Sequence, residues 1–108
     1  MTVARIRSID FDSAEIANEY EQDVQENGAN WVPEAELIML IRTTETSSLL
    51  LTLFETDEIA ENVADRLAKW SETHGQSSWN NRYSDSVTLL GPVKAMHIKK
   101  SITSRWMT

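Results

Sequence analysis

Val3, Ile6 and Ile9 place β-branched residues at intervals through a short stretch, 3–11, that runs directly into Asp12-Ser13-Ala14-Glu15. This pattern predicts a strand handing over to a helix, with Asp12 as the cap and Glu15 reaching back to it. Ile16, Ala17, Tyr20 and Val24 then recur at three- and four-residue spacing, which predicts a first helix over 13–27 with Gly28 as its left-handed stop. After a connection barred from regular structure by Pro33, two apolar runs of strand length, 37–43 and 48–54, flank the polar residues 44–47 and read as a hairpin. Thr56 caps a second helix whose stripe is Ile59, Val63, Leu67 and Trp70, ending near Thr73 with His74 in its last turn and Gly75 as the stop. Residues 76–91 are polar until Val87-Thr88-Leu89-Leu90 and carry no clear period; a short helical turn and an extra strand both fit them. Beyond Gly91-Pro92, residues 93–100 alternate as a strand would, with Val93, Ala95 and His97 on one face, and residues 101–108 form a tail.

The order is β-α-β-β-α-β. It predicts an α+β, ferredoxin-like domain over residues 1–108, with both helices on one face of a four-stranded antiparallel sheet. If the other face met water, the hairpin strands should alternate apolar with polar. Instead Leu37, Met39 and Ile41 oppose Ile38 and Leu40, while Leu49, Leu51 and Leu53 oppose Leu50 and Phe54. Each Å² of apolar surface removed from water contributes about 25 cal/mol, so a second copy's sheet is the natural cover and a homodimer is expected.

Composition narrows the chemistry. The chain has 108 residues and no cysteine, which removes disulfides, thiolate catalysis and cysteine-held metals. No signal-like or membrane-length apolar run occurs, so a cytoplasmic protein that binds no membrane is expected. The net charge is −7, with all 17 acidic side chains before residue 91 and Lys94, Lys99, Lys100 and Arg105 after it. An acidic body repels phosphate backbones and four tail cations are few, so nucleic acid is not an expected partner. The basic tail fits better against acidic elements of its own chain or of a second copy. Two histidines without ligand spacing make no zinc motif, three scattered glycines make no phosphate loop, and no nucleophile elbow occurs.

The segment LLLTLFETDEIAENVADRLAKW, together with the later GPVKAMHI, resembles the dimeric α+β barrel superfamily, which includes antibiotic-biosynthesis monooxygenases and haem-degrading monooxygenases. The resemblance implies a cavity between sheet and helices, or near the dimer seam, that takes a small apolar ligand. The alternative it offers is a cofactor-independent monooxygenase-like enzyme acting on an apolar aromatic compound. No cofactor is expected on the first reading. Haem held through His74 is the alternative, because His74 falls where the haem-degrading branch places its ligating histidine. That branch's first-strand Asn falls at Ser8 here, and its helix Trp at Val63 or Ala64.

The ligand-pocket candidates are Trp70, His74, Trp79, His97 and Arg42. For each a plainer role stands alongside. Trp70 continues an apolar stripe, and His74 suits the negative end of a helix dipole. Trp79 and Tyr83 belong to no stripe and suit an interface better than a cavity cap. His97 fits a hydrogen-bonded strand histidine, and Arg7 and Arg42, on strand ends, could meet an anionic ligand, with surface ion pairs as their plainer role.

Overall fold

A computed structural model describes residues 1–74 and 85–106. Strand β1 (Val3–Asp10) leads to helix α1 (Ala14–Trp31), the hairpin β2 (Leu37–Thr44) and β3 (Ser47–Phe54), helix α2 (Asp57–His74), strand β4 (Asp85–Pro92) and a short helix α3 (Lys100–Trp106). The sheet order is β2-β3-β1-β4 with every neighbouring pair antiparallel. That is the ferredoxin-like α+β arrangement, in which β3 is inserted between the two strands that α1 connects.

The caps show how the sequence sets these boundaries. Ser13, with extended backbone, accepts a hydrogen bond from the Ile16 amide at 3.2 Å, so it starts α1 in place of the expected Asp12. Gly28 does not end this helix. It lies buried within it, its carbonyl accepts from the Val32 amide at 3.3 Å, and the helix stops at Trp31, before Pro33. Thr56 caps α2 as expected, its hydroxyl accepting from the Ile59 amide at 3.2 Å.

The fourth strand is displaced from its expected position. Residues 85–92 pair with β1 in the register Ile6 with Leu89, whereas residues 93–99 form no strand and lead into α3. The alternation beyond residue 92 predicted a strand there, but pairing needs a ladder as well as a pattern. The Val93 amide donates to the Thr2 carbonyl at 2.9 Å, just before the chain enters β1. The residues of α3 are exposed.

Two apolar clusters lie between sheet and helices. Under α2, Val3 and Phe54 pack with Ala60 and Val63; near α1, Ile9 and Phe11 pack with Ala17 and Tyr20, joined by Leu40 and Leu50. Among the described residues no helix covers the opposite face of the sheet, where Met39, Ile41, Val87 and Leu89 are exposed, Leu89 at 64%. Among the described residues, no helix is long and apolar enough to cross a membrane.

Candidate functional site

Side chains alternate along a strand, so the residues sharing a face with buried Val3 and Ile9 on β1 are Arg5 and Arg7. The helix-covered side of β1 therefore reads Val3, Arg5, Arg7, Ile9. Its cross-strand partners on β3 read Phe54, Thr52, Leu50, Ser48, and on β4 Pro92, Leu90, Thr88, Ser86. Val3 and Phe54 belong to the first apolar cluster, while Ile9 and Leu50 belong to the second. Along β1 and β3, Arg5, Arg7 and Thr52 stand between Val3 and Phe54 of the first cluster and Ile9 of the second.

The polar groups in this gap are tied into the sheet. Arg7 donates from Nη2 to the Ser86 hydroxyl at 3.4 Å, which confirms that the two side chains share a face. The Arg7 Nε is shut off from solvent, so the head group is partly desolvated although the residue is only half-buried. Thr52 is buried and donates its hydroxyl to the Arg5 carbonyl at 3.4 Å. Ser48 is buried at 1% exposure, and its hydroxyl has no hydrogen-bond partner. The β4 side of the gap is open, because Leu90, Thr88 and Ser86 are exposed. Asp10, the acidic residue on β1, points to the other face, where its carboxylate accepts from the Ser47 hydroxyl at 2.6 Å.

The residues singled out in the sequence do not gather at one point. Trp70 is 45% exposed and leaves the buried stripe, which continues from Ala60 and Val63 through Leu67 to Ser71 instead. A step of four residues from Leu67 reaches Ser71, and Trp70 falls beside the stripe. The indole stacks on the exposed His74 ring, with centroids 3.9 Å apart and planes 10° from parallel, and His74 Nδ1 lies 2.8 Å from the Trp70 carbonyl oxygen. Arg42 is committed to the hairpin tip and α1. It donates to the Thr44 carbonyl at 2.9 Å, the Glu45 carbonyl at 2.5 Å and the Asn18 amide oxygen at 3.0 Å, and it pairs with Glu21 at 3.5 Å. His97 is exposed in the segment after β4 and, with Ile98, Lys99, Ser101, Ile102 and Arg105, lines an open groove far along the chain from the sheet gap. Trp79 and Tyr83 lie outside the described residues.

Sequence reading missed Arg5 altogether and placed Arg7 at a strand end. The signal was present in strict alternation from Val3 to Ile9, but the spacing of Val3, Ile6 and Ile9 drew attention to residues that do not share a face.

No family model matches the chain, and no curated protein sequence matches it. Solved structures do match, and the fold they share with this chain is ferredoxin-like. A dimeric ferredoxin-like protein from an uncultured marine organism is similar at a TM-score of 0.70 and 9% identity, over 92% of this chain and 93% of that one. SnoaB, a cofactor-independent oxygenase from Streptomyces nogalater, is similar at 0.66 and 13% identity, over 88% and 95%. The haem degrader MhuD from Mycobacterium tuberculosis, with two haems in its active site, is similar at 0.64 and 19% identity, over 88% and 98%.

Proposed function

We propose that the protein is a homodimeric α+β barrel that binds a small, largely apolar molecule between its sheet and its helices. The observation that carries this reading is the split core: Arg5, Thr52 and Arg7 interrupt the helix-covered face between two apolar clusters. The open sheet face supports the dimer, since Met39, Ile41, Val87 and Leu89 form an apolar surface that a second copy would cover.

The test is a fluorescence titration of the tryptophans with small aromatic probes such as 2-naphthol and 2-naphthoate, run beside thermal melts. Saturable quenching with a raised melting temperature is the expected result. Absence of saturable binding across such a series removes the reading.

The second reading, a monooxygenase-like enzyme acting on an apolar aromatic compound, draws support from the shared fold with SnoaB. Oxygen uptake on adding a naphthohydroquinone, above the rate of its uncatalysed oxidation, would favour it. Haem has weaker support. Ser8, at the first-strand position, is exposed and turns to the face away from the helices, and His74 is exposed with one ring face covered by Trp70. Among the described residues, His74 lies against Trp70 and Thr73, and neither reading draws on haem.

A further inference from the structure

We infer that residues 94–99 of one copy form an arm that pairs, as an added strand, with the free edge of β2 in a second copy, with α3 packed beside it. This rests on the dimer reading above and goes beyond it, because contact between the open sheet faces does not by itself engage the tail.

The tail is held to its own body at one point. Among the described residues, the Val93 amide donates to the Thr2 carbonyl at 2.9 Å, and beyond it Ile102, Thr103 and Ser104 bond back to Lys99, Lys100 and Ser101 of the same segment. Met96, Ile98, Ile102 and Trp106 are exposed, Trp106 at 76%. A helix shorter than about 12 residues is marginal in water unless it packs on something, and α3, with seven residues, buries none of them. Four large apolar side chains and a short helix therefore lack a supporting surface within the chain.

The arm has strand character and the sheet has an edge to receive it. Residues 93–98 alternate as a strand does, yet among the described residues no strand of the same chain pairs with them. At the far edge of the sheet β2 pairs with β3 alone. Proteins blunt exposed edges with charge, proline or short strands. Leu37-Ile38-Met39-Leu40-Ile41 has none of these, whereas β4, at the other edge, carries Asp85, Ser86, Thr88 and Pro92. The β2 edge is therefore the better template for strand addition, in which main-chain hydrogen bonds hold the arriving segment.

Reach and charge assign the arm to a second copy. A chain's own β2 lies beyond β1 and β3 from its β4, but a twofold axis parallel to the strands of two facing sheets sets β4 of one copy opposite β2 of the other. Facing sheets stand about 10 Å apart and six extended residues span about 20 Å, so 94–99 can cross between copies. Residues 1–90 carry 17 acidic and six basic side chains, whereas the tail has four basic ones and no acid. Glu36 and Glu55 are exposed at the end of the sheet where the tail begins, yet among the described residues Lys94, Lys99, Lys100 and Arg105 form no ion pair. Laid on a second acidic body, these cations offset the repulsion between two copies of net charge −7.

The chain has no cysteine, so a single one can be placed and labelled. Ser101→Cys carrying a nitroxide is mixed with unaltered, isotope-labelled protein, so that only contact between copies broadens the observed amides. The expected result is broadening strongest at Leu37–Thr44. Ile98→Asp supplies a second readout, because Ile98 is exposed in the single copy and its replacement should leave the folded circular-dichroism spectrum unchanged. It should raise the dimer Kd, measured by sedimentation, at least about tenfold. Broadening centred on β4, or none between copies while the dimer persists, overturns the arm and leaves the sheet-face dimer standing. An unchanged Kd in Ile98→Asp does the same. An unaltered protein that sediments as a monomer removes both.

Discussion

Arg66 on α2 grips both oxygens of the Glu34 carboxylate, one of them from Nη2 at 3.0 Å, and the same Nη2 donates to the Trp31 carbonyl at 3.0 Å. One guanidinium therefore fastens the middle of the second helix to the end of the first and to the connection after it. The hydrogen bond from Arg66 holds the Glu34 carboxyl below its usual range. A carboxyl depressed on folding contributes stability that is present above its unfolded pKa and is lost as pH falls through the lower folded value. Both partners are substantially exposed, so solvent screening keeps the contribution within about 1 kcal/mol. Glu34→Gln is expected to lower stability by up to about 1 kcal/mol at neutral and alkaline pH and to change little at pH values where the carboxyl is protonated in both states, so the acid-side loss measured by urea denaturation shrinks.

The core beneath α2 should be much less tolerant. Phe54 is fully buried, and its neighbours include Val3 and Val63 at 1% exposure each. Phe54→Ala should cost about 3–5 kcal/mol through lost burial and the cavity left behind, a large share of the ~5–15 kcal/mol typical of a domain. Chemical denaturation reads this directly. Trp70→Ala, half-exposed and outside the stripe, should cost far less.

Gly28 offers an opposite case. It lies inside α1, where a glycine costs about 1 kcal/mol relative to alanine. A Cβ there would meet Val24 Cγ1 at 3.3 Å, a contact with one partly buried side chain that can shift by a few tenths of an ångström. Gly28→Ala should therefore raise the melting temperature slightly, and Gly28→Ile, with a branched side chain pressed on the same methyl, should lower it.

His74 and Trp70 form a stacked pair at the exposed end of α2. His74→Ala should alter the tryptophan emission, because one indole face is uncovered, while stability changes by less than about 1 kcal/mol, as expected of a surface position. A change in emission accompanied by loss of the folded circular-dichroism spectrum would contradict this local account.

The parts of the fold that could be read from the sequence are those in which local chemistry and tertiary structure agree. Thr56 caps a helix with or without a sheet beneath it, and the apolar runs either side of residues 44–47 leave little choice but a hairpin. The fourth strand was hidden for a physical reason. Val87-Thr88-Leu89-Leu90 is a short apolar run after a long polar stretch and is exposed at the sheet edge, so its strand character is decided by the ladder with β1, which the sequence alone does not display. Residues 93–98 alternate more convincingly but have no ladder. The candidate site was obscured similarly. Arg5 and Arg7 acquire meaning only when Val3 and Ile9 are known to face the helices, whereas Trp70, His74 and His97 stood out by residue type and lie on exposed surfaces.

The central claim is that the apolar sheet face is covered by a second copy of the chain. Met39→Asp and Leu89→Asp place charges on that face and should yield folded monomers. The most direct measurement is sedimentation equilibrium of the unaltered protein at micromolar concentration. The account predicts a particle of twice the 12.3 kDa chain mass. A stable 12.3 kDa monomer across that concentration range would contradict it.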